Sequence, residues 1–308
     1  MSERLRIIFM GTPDFAVPSL RILVENGCEV VAVITAPDRP SGRGLKLTPS
    51  PVKQYALERG ILVLQPEKLK ESTFLEQLRQ LRADLQVVVA FRMLPEVVWS
   101  MPGRGTFNLH ASLLPQYRGA APINWAVING ETQTGVTTFF IEKEIDTGKI
   151  IFQEKEAIHP DDTAGTLYER LMQKGAELVL RTVRAIEAGN YPQVPQPEVP
   201  EPRLAPKIYK DTCAINWELP REQVRNLVRG LAPYPAAWTN LGELFCKIYR
   251  VSSLPQPPDD NLAPGTYRTD NKTYLHLRAA DGWVAVEELQ LEGKRRMTTD
   301  ELLRGLKL

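Results

Sequence analysis

The first part of the chain alternates between short apolar runs and amphipathic segments. Apolar runs occupy residues 5–10, 29–34, 61–64 and 85–90, and segments with helical spacing of apolar residues lie at about 13–25 and 73–81. Continuous apolar runs are typical of parallel strands buried on both faces, and helices between strands are typical of crossover connections. The pattern therefore predicts an α/β domain with a Rossmann-like, mostly parallel sheet.

The same pattern continues to residue 187 and then stops. Two further strands are predicted at 135–142 and 150–157, followed by a long amphipathic helix at 163–187. Prolines then recur between Pro192 and Pro206, and a proline-rich stretch runs extended rather than entering a core. We therefore expect one domain at 1–189, a linker at 190–206 and a second domain at 207–308.

The second domain has a different pattern. One helix is predicted at 221–231, and short alternating segments separated by Gly, Asp and Asn follow between 236 and 291. Closely spaced short strands of this kind are typical of a small β-barrel or sandwich. Lys294, Arg295 and Arg296 form a short basic run, which is usually a solvated turn and could alternatively contact a phosphate.

Composition and charge narrow the class of protein. The chain has 308 residues, 43% of them hydrophobic, and its 38 Lys and Arg balance 37 Asp and Glu. A polyanionic partner would thus have to be met by a local basic patch. The three cysteines are odd in number and far apart, which favours a reducing compartment. With no signal-like N-terminus and no apolar stretch long enough to span a membrane, we expect a cytoplasmic, soluble protein without a membrane partner.

One connection in the first domain is unusually long. Residues 35–51 replace a short strand-to-helix loop and carry Arg39, Arg43 and Lys46 against a single acid, Asp38. Long loops inside a compact domain tend to be functional. A solvated basic loop is the simpler interpretation, and contact with a polyanion is the functional one that we favour.

The candidate chemistry lies between residues 106 and 148. Asn108 and His110 are two residues apart in a predicted strand, so their side chains leave the same face, and Asp146 begins an Asp-Thr-Gly turn further on. An amide can donate to a developing oxyanion, an imidazole can relay a proton, and a carboxylate can orient that imidazole. No serine or cysteine nucleophile accompanies them. This favours acyl transfer between two bound substrates, although a buried structural His and an Asn that bridges strands remain alternatives.

Several other activities are not supported by the sequence. The turn that begins at Gly11 lacks the glycine spacing of a dinucleotide-binding loop, and no phosphate-binding loop for a nucleoside triphosphate is present. A single Asp-Thr-Gly cannot form the carboxylate pair of an aspartic protease. The histidines are scattered, so we expect no metal site.

The residues quoted above carry a resemblance to a known family. FNLHASLLPQYRGAAPINWAVINGE at 107–131, with TGVTTFFIEKEIDTGKI after it, resembles the formyltransferases that use 10-formyltetrahydrofolate. IIFMGTPDFAVPSL, TAPDRPSGRGLKLTPSPVK and APKIYKDTCAINW extend the resemblance, over nearly the whole chain, to the members that act on charged initiator tRNA. It implies transfer of the formyl group of 10-formyltetrahydrofolate to the amino group of initiator methionyl-tRNA. It also implies a C-terminal barrel, similar to an OB fold, that contacts the tRNA.

The resemblance also implies roles for individual residues. Asn108 and His110 would stabilise the oxyanion, and Asp146 would orient His110 and help to remove the amine proton. The implied folate contacts are Ser112, Leu113, Leu114 and Pro115, together with Phe91, Arg92, Met93 and Leu94. Arg43 matches the arginine of the family's inserted loop, and Arg39 and Lys46 would contact phosphates.

The chain departs from the family pattern at three places, and other functions remain open. Arg92 replaces a glycine that many members have, Asn216 replaces an aspartate, and Glu144 with Ile145 precedes Asp146 in place of Gly-Leu. The alternatives are a formyltransferase for a small amine, a hydrolase that releases formate from the folate, and an RNA-binding module with an inert domain. The basic loop and second domain argue against the first two, and the intact trio argues against the third. We expect a monomer.

Overall fold

The computed structural model describes residues 4–41, 46–254 and 262–307. By its contacts the chain forms two compact units. Unit 1 comprises Met1–Gly119, Thr134–Glu156 and Tyr168–Arg203, and unit 2 comprises Ala120–Gln133, Ala157–Leu167 and Leu204–Leu308. In the described part of the chain no helix is long and apolar enough to cross a bilayer. The domain limits expected from the sequence, at 189 and 207, remain predictions.

Strands and helices alternate through most of the first 187 residues. The strands are β1 (Arg6–Gly11), β2 (Glu29–Ile34), β3 (Arg39–Ser41), β4 (Lys46–Thr48), β5 (Val63–Leu64), β6 (Leu85–Val89), β7 (Thr106–His110), β8 (Arg118–Gly119), β9 (Gln133–Phe140) and β10 (Ile150–Ala157). The helices are α1 (Val17–Glu25), α2 (Pro51–Glu58), α3 (Ser72–Gln80), α4 (Glu96–Trp99), α5 (Pro122–Ile128) and α6 (Ala164–Glu187).

Unit 1 is built on a seven-stranded sheet in the order β10-β9-β7-β6-β1-β2-β5. β5, β2, β1, β6 and β7 are parallel, and β9 runs antiparallel to β7. Phe74 and Leu78 of α3 pack in one core with Ile8, Ile34 and Val88 of the sheet. The predicted Rossmann-like, mostly parallel sheet is confirmed.

The carboxyl ends of the central strands form the edge on which the candidate residues lie. β1 ends at Gly11, β6 at Val89 and β7 at His110, and the register pairs Val89 with Leu109. Gly11 is required there, because a Cβ atom would lie 2.7 Å from the Cβ of Ala16. Open parallel sheets bind their ligands at this edge.

Some local elements differ from the sequence pattern. The helix expected at 13–25 is divided into a 3-10 turn, Asp14–Ala16, and α1. The helices α2 and α5, each with a proline in the first turn, were not predicted. The long basic connection contains a hairpin in which β3 pairs antiparallel with β4, so its described part has regular structure.

Unit 2 contains an antiparallel half-barrel. Its later elements are β11 (Leu204–Ala205), a 3-10 turn (Asp211–Cys213), α7 (Arg221–Leu231), β12 (Ala237–Leu241), β13 (Leu244–Ser253), β14 (Tyr267–Thr269), β15 (Leu275–Ala279), β16 (Gly282–Leu291), β17 (Met297–Thr298) and α8 (Thr299–Leu303). The sheet order is β12-β13-β16-β15-β14, and β17 pairs with β16. Val224 and Val228 of α7 belong to its apolar core. The predicted small second β domain is confirmed.

The basic run at the end of this half-barrel is largely paired. Nε and Nη2 of Arg296 each donate to a carboxylate oxygen of Glu288 at 2.6 Å, and the guanidinium lies 4.3 Å from the centroid of the Tyr249 ring. Arg295 lies 3.4 Å from Glu301. The charge of Arg296 is therefore compensated within the half-barrel, and no phosphate is needed to explain it.

Candidate active site

His110, the last residue of β7, is fixed by its main-chain surroundings. Its side chain is buried, and Nε2 lies 2.8 Å from the main-chain oxygen of Tyr117. Because a carbonyl can only accept, Nε2 carries a hydrogen in this contact. The other ring nitrogen, Nδ1, lies 3.8 Å from Oδ2 of Asp146. This distance is longer than a hydrogen bond, and it places the carboxylate charge beside the imidazole.

Asp146 is held in a strained turn. Its φ of 55° is in the left-handed region, which is uncommon for residues other than glycine. The main-chain N–H of Gly119 donates to its Oδ2 at 2.9 Å, and its own main-chain oxygen accepts from Gln196. Gly148 completes the turn, since a Cβ atom there would come within 1.7 Å of the Phe140 oxygen. The backbone of the turn thus determines where the carboxylate lies.

Asn108 lies two positions before His110 on the same strand. It is half-buried, and it is paired in register with Val88 on β6 and Phe139 on β9. The alternation of a strand places its side chain on the same face as that of His110. The structure therefore brings His110 and Asp146 together and places Asn108 next to them along β7.

The loop after β7 is tightly bound to the neighbouring strands. The Ser112 hydroxyl donates to the Gln116 oxygen at 2.6 Å, and the Thr137 hydroxyl donates to the Ser112 oxygen at 2.6 Å. Gln153 donates to the Leu114 oxygen at 3.0 Å. Of the predicted folate residues in this loop, Ser112, Leu114 and Pro115 are buried and Leu113 is half-buried. A loop with this many internal bonds can present a fixed backbone surface to a ligand.

The second predicted folate segment follows β6. Phe91 is half-buried, Met93 is exposed and Leu94 is buried. Arg92 does not extend freely: Nη1 donates to the Glu67 oxygen at 2.8 Å and Nη2 donates to the Pro66 oxygen. Burial, followed by the nearby charge of Arg39, lowers the pKa of Arg92. Arg92, at a position where many family members have glycine, therefore joins the 91–94 segment to the loop that precedes α3.

Arg39 and Lys46, two of the predicted tRNA contacts, belong to the β3–β4 hairpin. Arg39 is exposed on β3, Lys46 begins β4, and Arg43 lies outside the described residues. Asp38 is paired with Lys53 at 2.6 Å and accepts a hydrogen bond from Gln65. These two hydrogen bonds lower the pKa of Asp38. The acid of this connection is thus already neutralised by a residue outside the hairpin.

Three residues at the site were not identified from the sequence. Tyr117 and Gly119 act through main-chain atoms, and no side-chain pattern reveals such a role. Gln196 lies in the proline-rich stretch, which we interpreted only as a linker. Within the described residues no group of three His, Cys, Asp or Glu side chains is arranged to hold a metal ion.

Comparison with known proteins defines the family. Residues 4–183 match the model of the formyl transferase family, and residues 207–307 match that of the formyl transferase C-terminal domain. The chain belongs to the formyl transferase family.

Named relatives are similar over the whole chain. The methionyl-tRNA formyltransferase of Bacteroides fragilis is 56% identical, over 99% of this chain and 96% of the relative. The protein of the same name from Flavobacterium johnsoniae is 49% identical, over 99% of this chain and 97% of the relative.

Solved structures share the fold at lower identity. HypX from Aquifex aeolicus in complex with tetrahydrofolic acid is 18% identical with a TM-score of 0.63, covering 98% of this chain and 47% of that chain. WlaRD, a sugar 3N-formyl transferase solved with dTDP and 5-N-formyl-THF, is 19% identical with a TM-score of 0.67, covering 95% of this chain and all of that chain.

Proposed function

We propose that the chain transfers the formyl group of 10-formyltetrahydrofolate to the α-amino group of initiator methionyl-tRNA. The product, N-formylmethionyl-tRNA, serves translation initiation. The observation that carries this conclusion is 56% identity over 99% of the chain to a methionyl-tRNA formyltransferase. We also propose that the enzyme acts in the cytoplasm, as a monomer.

Asn108, His110 and Asp146 would carry out the chemistry. The amine would attack the formyl carbon and form the new C–N bond in a tetrahedral intermediate, and the bond to the folate nitrogen would then break. The Asn108 amide would donate to the oxyanion that develops on the formyl oxygen. The proton lost by the amine would pass to the His110 and Asp146 pair and return to the folate nitrogen as it leaves. An α-amino group has a pKa of about 8, so positioning matters more than deep activation.

The folate would be bound at the ends of β6 and β7. The segments 91–94 and 112–115 follow these two adjacent strands at the edge where parallel sheets bind ligands. Met93 is 74% exposed and lies beside the buried Leu94. Contact with the flat face of a pterin ring would remove that surface from water.

The acceptor tRNA would be held by the basic hairpin. Arg39, Arg43 and Lys46 would contact phosphates, which give affinity and salt dependence rather than sequence choice. The pairing of Asp38 with Lys53 supports this assignment, because it leaves the hairpin without an acid that could neutralise Arg39.

We also propose that the second domain contacts the tRNA. A hollow of about 310 Å³ on unit 2 contains aromatic rings and lysines, and none of the described residues that line it is acidic. Its lining is Ile208, Tyr209, Lys210, Cys213, Tyr234, Pro235, Ala236, Trp238, Phe245 and Lys247. The Lys210 ammonium lies 5.6 Å from the centroid of Phe245. Exposed rings beside cations suit unstacked bases and their phosphates. The chain would thus consist of a formyltransferase domain at 1–189, a linker at 190–206 and a tRNA-binding domain at 207–308.

Formyl transfer is the direct test of the activity. Purified protein is incubated with 10-formyltetrahydrofolate and radiolabelled methionyl-tRNA, and the formylated product is counted. Uncharged tRNA, free methionine and an amino sugar are parallel acceptors. Of these four acceptors, we expect methionyl-tRNA to be the one that gives product. Product with the sugar, or formate release without any acceptor, would favour the small-amine transferase or the hydrolase.

A matched pair of lysine variants tests the second domain. Lys210→Ala should weaken tRNA binding and reduce the slope of log affinity against log salt by about 1, as expected for one lost phosphate contact. Lys272→Ala, at an exposed position of the same unit, is the control. Equal tRNA binding by the two variants would mean that the hollow is not part of the tRNA interface. The proposal of formyl transfer would still stand.

A further inference from the structure

Gln196 uses both ends of its side-chain amide at the Asp146 turn. Nε2 donates to the main-chain oxygens of Asp146, at 2.8 Å, and Gly148, at 2.9 Å. Oε1 accepts from Arg118, whose Nε and Nη2 lie at 3.1 and 2.5 Å. The residue therefore joins the Asp146 turn to the segment that follows the catalytic strand.

The two bonds to the turn act where the backbone is strained. Asp146 has a φ of 55°, a conformation that costs free energy and persists only where the surroundings impose it. The carbonyls of Asp146 and Gly148 flank the turn, and both point to one NH₂ group. Fixing these carbonyls fixes the direction in which the Asp146 carboxylate leaves the backbone.

The bonds to Arg118 connect the same amide with the other support of the carboxylate. Arg118 directly precedes Gly119, whose N–H donates to Oδ2 of Asp146, and follows Tyr117, whose oxygen is bonded to His110 Nε2. A shift of Arg118 would therefore move both main-chain groups that hold the His110 and Asp146 pair.

The backbone around Gln196 is itself fixed. Pro195 and Pro197 restrict the torsion angles on either side of it. Val194 makes two main-chain hydrogen bonds with Ile150, of 2.8 and 2.9 Å, which attach the segment beside the strand that follows the turn. The amide is thus held in place before any substrate binds.

We infer that Gln196 is a positioning residue for Asp146, and that the proline-rich segment is a structural part of the active site as well as a connection. The inference rests on the proposed formyl transfer. Gln196 acts through Asp146 and Arg118, and its loss is expected to impair turnover more than substrate binding.

Two near-isosteric substitutions of Gln196 separate the effect of its hydrogen bonds from the effect of its side-chain volume. Gln196→Met removes the donors and the acceptor without adding charge, whereas Gln196→Glu keeps an acceptor for Arg118 and removes the donors to the two carbonyls. Small misplacements of catalytic groups reduce rates by about 10- to 100-fold. We expect both variants to lose kcat by about this factor, with a smaller change in KM for folate and methionyl-tRNA.

The kinetic constants and their pH profile distinguish positioning from a general loss of structure. In both Gln196 variants kcat should fall while KM for the folate and for methionyl-tRNA stays nearly constant, and the pH dependence of kcat should keep its shape. Gln193→Glu, exposed in the same segment, is the control for added charge and should resemble the unsubstituted chain.

The outcomes are distinct. Normal kcat in either Gln196 variant would overturn the inference, and so would a loss of kcat accompanied by weaker folate binding and a lower unfolding temperature. Absence of formyl transfer by the unsubstituted chain would instead contradict the proposed function. Transfer by the unsubstituted chain, with reduced kcat and intact folate binding in both variants, would support the inference.

Discussion

The Nδ1 atom of His110 and the Oδ2 atom of Asp146 lie 3.8 Å apart, which is farther than a hydrogen bond. The other nitrogen of the ring is bonded to the Tyr117 oxygen, so Nδ1 is the ring atom at which a proton can be gained or lost. The carboxylate places a negative charge beside this atom. We propose that the pair holds the proton while the formyl group passes between the two nitrogens.

Removing the charge of Asp146 should therefore slow the reaction. Asp146→Asn keeps the shape of the side chain, and its amide oxygen can still accept from the Gly119 N–H, but it carries no charge beside Nδ1 of His110. We expect kcat to fall by about 100-fold or more, as it does when a charged partner of a catalytic imidazole is neutralised. Glu144→Gln, an exposed acid of the same turn, is the control. Steady-state formylation at saturating folate is the measurement, and equal rates for the two variants would exclude a role for the Asp146 charge.

The Asn108 amide should act in the transition state alone. Asn108→Ala removes one donor to the oxyanion, and loss of such a donor typically lowers kcat by about 100- to 1,000-fold. Because the ground-state carbonyl is a weaker acceptor, KM for the folate should change little. Thermal unfolding and folate binding, measured on the same preparation, check that the sheet is intact. A rise in KM at unchanged kcat would assign Asn108 to substrate binding.

Much of the sheet could be predicted because each strand carries its own signal. The run at 29–34 and the strand at 150–157 have the limits that their apolar patterns indicated, and α7 has the predicted limits too. The short helix α5 gave no comparable signal, since it is seven residues long and begins at a proline. Segments of this length depend on packing: the side chain of Asn124 on α5 donates to the main-chain oxygen of Gly230, at 2.8 Å.

The site was only partly predictable for a related reason. The sequence shows side-chain types, and these indicated Asn108, His110 and Asp146 as candidates. The groups that hold two of them are a main-chain oxygen at Tyr117, a main-chain N–H at Gly119 and an amide far along the chain at Gln196. Main-chain groups are present at every position, so only the fold determines which of them meet a catalytic side chain.

Gly148 should tolerate no side chain. A Cβ atom would come within 1.7 Å of the Phe140 oxygen, and backbone cannot give way cheaply. Gly148→Ala should reduce the free energy of unfolding by about 1–3 kcal/mol, the usual cost of overpacking, and lower activity because the Asp146 turn moves. Gly103→Ala, where nothing lies within 4 Å of the added atom, is the control. Urea unfolding measures both, and similar midpoints would mean that the turn can adapt.

The basic hairpin should determine salt-dependent tRNA affinity. Arg43→Ala is expected to raise KM for methionyl-tRNA and to reduce the salt slope of binding by about 1, while folate binding is unchanged. Arg79→Ala, on helix α3, is the charge control. Filter binding at several salt concentrations provides the slope. If Arg43→Ala binds and formylates like the control, the hairpin does not contact the acceptor.

The pairing of Glu288 with Arg296 should make the stability of the half-barrel depend on pH. Hydrogen bonds from Arg296 lower the pKa of Glu288 below its ordinary value, which is about 4.3 in an unfolded chain. A carboxyl group with a lowered pKa in the folded state contributes stability above the unfolded value, and that contribution is lost as the pH falls through the folded value. The Glu288 side chain is 23% exposed and that of Arg296 41%, so we expect the pair to contribute about 0.5–1 kcal/mol.

Glu288→Gln should therefore unfold at a lower temperature than the unsubstituted chain at pH 7, and the difference should shrink as the pH is lowered below about 4. Glu292→Gln, an exposed acid just after β16, should show no such difference at any pH. Thermal unfolding followed by circular dichroism at several pH values tests this, and a Glu288→Gln deficit that stays constant with pH would mean that packing of Arg296 on Tyr249, rather than the charge of Glu288, provides the stability.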